Sequence, residues 1–313
     1  MNLSYNADII IILNGRGRDF MKILAFDIGG TNIKYAICNE NFQLSDKHTI
    51  PTEAKNGGQY IINKVIDIIE QYDDIDRIAI STAGQVDSVN GIVVYSTDNI
   101  PYYTGMMVKK IIENKTGIPT YVENDVNAAA TGEAKFGAAK NTSDFICLTF
   151  GTGIGGAIYL NDKLYKGTGS SAGEFGHIIT HAGGRPCTCG GDGCFEQYAS
   201  AKALVNSVEK VAGKSLNGFE IFKKENFNNT EIRHAIDSWI DEIIIGLKSI
   251  IYTFNPSLIV LGGGIMNEEY IIELIDRKIY KQLMGNYKNV NIVNTELGNN
   301  AGILGVAYEA AKL

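Results

Sequence analysis

An α/β architecture with two domains facing one another across a cleft is predicted by three features of this sequence. Strand-like and helix-like segments alternate along the whole chain. A strand, a glycine turn and a returning strand occur twice, once in each half. The 313 residues are also enough for two domains of ordinary size, each with its own core.

Taken in order, residues 1–20 hold one short apolar run, Ala7 to Leu13, too short to span a bilayer. No basic region precedes it and no small-residue cleavage site follows, so it does not read as a secretion signal. It is expected to be an extension or disordered arm, with an extra edge strand as the alternative. Residues 22–26 and 34–38 then read as strands joined by Gly29-Gly30-Thr31-Asn32. A helix over 60–72 follows, because Ile61, Ile62, Val65, Ile66, Ile68 and Ile69 make a broad apolar face. Strand 77–81, helix 105–115, strand 119–122 and helix 127–136 complete the first half.

Beyond a predicted hinge at 137–141, strand 145–150 turns on Gly151-Thr152-Gly153-Ile154-Gly155-Gly156 and returns over 157–160. A long amphipathic helix spans about 231–254, and strand 258–261 ends in Gly262-Gly263-Gly264. Another helix, strand 290–293 and a terminal helix from about Ala301 follow. The expected division is an extension 1–20, a small α/β domain 21–137 completed by helix 301–313, and a larger α/β domain 138–300.

Composition narrows the partners. A net charge of −7, from 28 basic and 35 acidic side chains without a basic run, argues against nucleic acid. No segment argues for a membrane. Five cysteines, with Cys38 and Cys147 in apolar strand contexts, suit a reducing cytoplasm.

Glycine turns let backbone N–H groups approach phosphate oxygens, since no Cβ intervenes. Two facing turns could grip a nucleotide triphosphate, which assigns Gly29, Gly30, Thr31, Gly151, Thr152 and Gly153 to that ligand, with Gly263 and Gly264 after a buried strand. The plain alternative is tight hairpins needing positive φ. Gly151 to Gly156 satisfies G-x-G-x-x-G, yet a strand follows rather than a helix, so the dinucleotide-binding context is missing. Gly213-Lys214-Ser215 is no phosphate loop, because Val208 stands where the first glycine is required.

His177, Cys187, Cys189 and Cys194 fall within eighteen residues, with Glu174 and Glu196 on either side. Imidazole and three thiolates suit tetrahedral Zn²⁺, and four protein ligands leave no place for a metal-bound water. The ion would hold a loop rather than perform chemistry. Alternatives are reduced buried thiols or a disulfide from Cys187 or Cys189 to Cys194; His181 could also replace His177.

Asp125 sits where a strand ends and a helix begins. It would serve either as a cap or as a general base taking the proton of an attacking hydroxyl. Asp27 lies on the first glycine turn, where a carboxylate near phosphates implies Mg²⁺ between them, or else simply stabilises the turn. Lys34 has no assigned role.

Five motifs in order, Asp27-Ile28-Gly29-Gly30-Thr31, Glu123-Asn124-Asp125, Gly151 to Gly156, Gly173-Glu174-Phe175-Gly176-His177 and Cys187 to Glu196, make the chain from about Met21 onward resemble the ROK family of sugar kinases and repressors. The resemblance implies an actin/hexokinase-like (ribonuclease H-like) fold, ATP with Mg²⁺, structural Zn²⁺ and a homodimer. It implies Asp125 as catalytic base, Asn124 beside it on the sugar, and Glu174, His177 and Glu196 as further sugar contacts, with Gly84 and Asn99 lining the first domain. The acceptor it implies is the 6-hydroxyl of glucose or a close relative, with N-acetylmannosamine the main competitor and fructose or β-glucosides behind. Thr82-Ala83-Gly84-Gln85 departs from the Pro-Gly pair common in the family, which bears on sugar specificity. A sugar-sensing regulator without catalysis and a zinc-dependent hydrolase are the readings from other classes.

Overall fold

The computed structural model describes residues 21–313, so the expectations for residues 1–20 lie outside the described residues. The first half contains β1 (Lys22–Ile28), β2 (Asn32–Asn39), β3 (Leu44–Pro51), α1 (Gly58–Ile69), β4 (Arg77–Thr82), β5 (Gln85–Asp87), β6 (Ile92–Tyr95), α2 (Val108–Thr116), β7 (Thr120–Asn124) and α3 (Asp125–Phe136). The second contains β8 (Phe145–Phe150), β9 (Ile154–Leu160), β10 (Lys163–Tyr165), α4 (Glu196–Ala199), α5 (Ala201–Ala212), α6 (Gly218–Ile221), α7 (Lys224–Phe227), α8 (Thr230–Phe254), β11 (Leu258–Gly262), α9 (Glu269–Ile279) and β12 (Asn291–Asn294), before α10 (Ala301–Ala310).

Two five-stranded sheets follow one plan, ordered β3-β2-β1-β4-β7 and β10-β9-β8-β11-β12. In each, an antiparallel meander supplies three strands and two parallel strands complete the sheet. The duplicated strand-turn-strand pattern thus extends to matching strand order and direction. β5 and β6 form a small separate hairpin.

Alternation along the central strands assigns each sheet two buried faces. Leu24 and Phe26 of β1 pack with Ile61, Val65 and Ile112 from α1 and α2, whereas Ile23 and Ala25 face Ile303, Val306 and Ala307 of α10. In the second sheet, Ile146 and Leu148 join Trp239, Ile243 and Leu247 of α8, while Phe145 and Cys147 meet Val126 and Ala130 of α3. Each such aliphatic side chain contributes about 1.5–3 kcal/mol on full burial. Trp239 is buried without a stranded donor, since its Nε1–H reaches the carbonyls of Ala199 and Ser200 at 3.0 and 2.9 Å.

Helices α3 and α10 therefore lie back to back between the sheets, and glycine sets their approach. A Cβ on Gly305 would fall 1.8 Å from the Ala128 carbonyl oxygen, and one on Gly132 would fall 2.2 Å from that of Ala301. Both chain crossings between the halves pass the end of α3. There the buried carboxylate of Glu133 accepts the N–H of Ala138 at 2.8 Å on the outgoing segment, and those of Glu296 and Leu297 at 3.1 and 3.0 Å on the returning one.

Helix α8 runs for 25 residues between two asparagines. The Asn229 side chain accepts the N–H groups of Glu231 and Ile232, and Asn255 closes the helix in the left-handed conformation at φ 45°. β3 departs from the sequence-based expectation, which placed no strand there. Its side chains are almost all solvent-facing, so it lacks apolar alternation and forms by edge pairing to β2.

Candidate active site and metal centre

A cavity of about 1170 Å³ lies between the two sheets and collects loops from both halves. Gly30 and Thr31 follow β1, Gly151, Thr152 and Gly153 follow β8, and Gly263 and Gly264 follow β11; all of them line it. Backbone pairing holds the turns rigid, with Gly29 N–H to Asn32 O at 3.0 Å and Gly151 N–H to Gly153 O at 2.9 Å. Gly263 adopts φ 105°, and a Cβ there would meet the Phe150 carbonyl oxygen at 2.2 Å. That turn tolerates only glycine, as the tight-turn reading expects. Asp27 and Gly29, which precede Gly30 in the chain, are not among the residues lining the cavity.

Gly84, Asn99, Asn124, Asp125, Glu174, His177 and Glu196 line the same cavity. Asn124, not Asp125, caps α3: its Oδ1 accepts the N–H groups of Val126 and Asn127 at 2.9 and 3.0 Å. Its Nδ2 donates both to the Gly84 carbonyl and to Asp125 Oδ1, each at 2.9 Å. The capping alternative raised for Asp125 therefore belongs to its neighbour, and the half-buried Asp125 faces the cavity. Enclosure by protein pushes the Asp125 carboxyl up to about 7, the charge of nearby Asp27 adds to the rise, and hydrogen bonds from Val126 N–H and the Asn124 amide only partly oppose it.

Asp27 accepts a hydrogen bond from Ser81 Oγ at 2.9 Å. Burial raises its carboxyl above the usual range, while Ser81 and Lys34 pull the other way. Lys34 stands opposite Asp27 in the β1–β2 register and donates to Asn299 Oδ1 at 3.0 Å, beside the start of α10.

The ligand atoms of His177, Cys187, Cys189 and Cys194 all lie within 4.8 Å of one another. Cys187 Sγ is 3.7 Å from His177 Nδ1, and the sulfurs of Cys189 and Cys194 are 3.6 Å apart. Bonded sulfurs sit near 2.05 Å, so Cys189 and Cys194 are not bridged, and Cys187 is free as well. Tetrahedral zinc with Zn–S near 2.3 Å would place its ligands about 3.7 Å apart, so the donors present fit the ion in type, number and spacing. His181 is committed elsewhere: it stacks on Tyr198 at 3.9 Å and approaches Glu242 at 3.5 Å. Glu196 connects this cluster to the cavity. Its Oε1 accepts from Cys187 Sγ at 3.3 Å and its Oε2 from Ile154 N–H at 3.3 Å, in the second glycine turn.

Several cavity features carry no local sequence signal. Gln85 Nε2 donates to Glu174 Oε1 and Gln85 Oε1 accepts from Ser171, both at 2.9 Å, across more than eighty residues of sequence. Glu53, Lys55 and Asn56, after β3, also line the cavity. For Gln85 the only available signal is its place beside the Ala83-Gly84 departure.

Chains of known function resemble this one over most of its length. The glucokinase of Streptomyces coelicolor is 33% identical over 307 residues, covering 91% of this chain and 96% of that protein. The xylose repressor of Bacillus subtilis is 32% identical over 235 residues, 74% of this chain and 59% of the repressor. Among solved structures, a ROK family glucokinase from Streptomyces griseus in complex with glucose and AMPPNP superposes with a TM-score of 0.84 at 29% identity, over 93% of this chain and all of that one. The sequence model of the ROK family matches residues 23–312. With the duplicated sheets and the His/Cys cluster already in place, the chain belongs to the ROK family.

Proposed function

We propose that this protein is an ATP-dependent sugar kinase that transfers the γ-phosphoryl group to a hexose hydroxyl, the 6-hydroxyl of glucose or a close relative. The glucokinase match covers 91% of this chain and 96% of that protein, against 74% and 59% for the repressor, and the geometry supports the same choice. The observation that carries the reading is Asp125: a carboxylate with its proton affinity raised to about 7 lies in the same cavity as three glycine turns. A sensor needs no such base. In a kinase, the turns would hold the triphosphate while Asp125 accepts the hydroxyl proton as the oxygen attacks phosphorus. Asn124 orients that carboxylate, and Glu174, His177 and Glu196 supply acceptors and donors for sugar hydroxyls.

ATP would bring Mg²⁺, and Asp27, on the strand that leads into the first turn, would act on its water shell. Zn²⁺ held by His177, Cys187, Cys189 and Cys194 would be structural, fixing the loop that carries His177 and, through Cys187, Glu196. With all four positions filled by protein, the hydrolase reading has no open coordination site. The assembly expected is a homodimer, which light scattering on the purified protein checks.

The test is ADP release with a panel of hexoses and N-acetylhexosamines, for wild type and Asp125→Asn. Turnover by wild type and its loss in the variant, with sugar binding retained, is the expected result. Tight sugar binding by wild type with no turnover on any sugar would assign a sensor instead. A higher kcat/KM for N-acetylmannosamine than for glucose would move the substrate assignment to the amino sugar.

A further inference from the structure

The segment between β10 and the metal loop, residues 166–177, carries Ser171, Glu174 and His177 on the cavity wall, and it is tied to the opposite half of the molecule at two points. At its start, Lys166 Nζ forms an ion pair with the Glu123 carboxylate and donates to Ser88 Oγ at 2.6 Å. Further along, Ser171 and Glu174 meet Gln85, as described above. Glu123 is 1% exposed and is the penultimate residue of strand β7, immediately before Asn124 and Asp125. Its position is fixed from every side. Oε1 receives the Asn124 N–H at 3.0 Å and Asn127 Nδ2 at 3.3 Å, and Oε2 receives the Tyr121 hydroxyl at 2.9 Å.

Such a carboxylate is a fixed reference point, and the lysine that pairs with it inherits that precision. We propose that Lys166 is a positioning residue for phosphoryl transfer: by reaching across the cleft to Glu123 it sets the sugar-side wall at a defined height above Asp125. The proposal rests on the kinase reading above. Lys166 touches neither sugar nor nucleotide on this account. It acts by keeping Glu174 and His177, from one half, in register with Asn124 and Asp125, from the other. Misplacement by about 1 Å can cost about a hundredfold in rate, so a tether of this kind has kinetic leverage.

The experiment compares wild type with Lys166→Met, Lys166→Arg and Lys166→Met/Glu123→Gln, the last removing both charges so that no carboxylate is left buried alone. Two readouts are needed: steady-state kinetics for sugar and ATP separately, and amide hydrogen exchange across the chain. The expected result for Lys166→Met is a fall of about a hundredfold in kcat/KM for sugar with KM for ATP within about twofold. Lys166→Arg, which keeps the charge, should recover to within about tenfold of wild type, and the double variant should be no worse than Lys166→Met. Amides of residues 166–174 should exchange faster in Lys166→Met while those of β8 stay protected. The proposal is overturned by sugar kcat/KM within threefold of wild type in Lys166→Met. It is equally overturned by a parallel loss of sugar and ATP parameters, by an arginine variant as poor as the methionine one, or by unchanged exchange in 166–174. Exchange needs no turnover, so a wild-type enzyme inactive on every sugar would defeat the kinase reading while the tether is still read directly.

Discussion

Glu133 Oε1 accepts the main-chain N–H of Leu297 at 3.0 Å, joining residues 164 positions apart in the chain. The other carboxylate oxygen takes Ala138 and Glu296, so one side chain holds both crossings between the halves. Glu133→Ala would remove the acceptor of three part-buried N–H groups, at about 1–3 kcal/mol for each that water cannot reach. The expected outcome is a loss of ~3 kcal/mol or more in urea unfolding, and an unchanged midpoint would show that water or a local shift replaces the carboxylate.

The pH dependence of catalysis follows from Asp125. A general base must be ionised, and this carboxyl is held up to about 7. Sugar kcat/KM should therefore rise about tenfold per pH unit below that value and level off above it. A profile flat from pH 5 to 8 would remove Asp125 as the base. Asp125→Asn should lower turnover by about 10²–10⁴ above about pH 7, and by progressively less below it as the wild type loses its own base to protonation.

Stability carries the opposite sign. Between the ordinary carboxylate value of 3.8 and about 7, Asp125 is protonated in the folded protein and ionised in the unfolded chain. The folded state binds the extra proton, so this residue's contribution to stability is lost as pH rises through that window. Asp125→Asn should melt above wild type at pH 8 and close to it at pH 4. Equal melting temperatures at pH 8 would mean that solvent relieves the strain on the carboxylate.

Metal removal tests the His/Cys cluster. Elemental analysis should find about one zinc per chain, and chelation should expose the three thiols of Cys187, Cys189 and Cys194 to alkylation. Sugar affinity should weaken more than ATP affinity, because the loop leads to His177 and Glu196. Intact sugar affinity in zinc-free protein would contradict a supporting role.

Gly305→Ala places a methyl group 1.8 Å from the Ala128 carbonyl oxygen, closer than any side chain can stand. Helices α3 and α10 must separate to admit it, at ~1–3 kcal/mol or more. Thermal melting checks this, and an unaltered transition would show that the crossing has slack.

Sequence alone exposed what is local. The glycine turns, the Glu123-Asn124-Asp125 junction and the closely spaced cysteines each announce themselves within a few residues, and the structure gathers the turns, that junction and His177 around one cavity. Strand β3 escaped because nearly all its side chains face solvent, leaving no alternation to read. Asn124 and Asp125 are both good capping residues, so composition could not decide which one caps α3. The Lys166–Glu123 pair spans 43 residues and two of the three contacts of Glu133 span 163 and 164, and nothing in a local window distinguishes those side chains from solvated charges.

The placement of α10 also governs how the molecule is made. All five strands of the first sheet have been synthesised by Asn124, yet one face of that sheet is covered mainly by α10, through Ile303, Leu304, Val306 and Ala307. A ribosome therefore delivers the opening portion with Ile23, Ala25 and Ala79 bare, and keeps them bare while everything up to α10 emerges. The portion made later can consolidate first, and the earlier one stays a client for chaperones until the closing helix arrives.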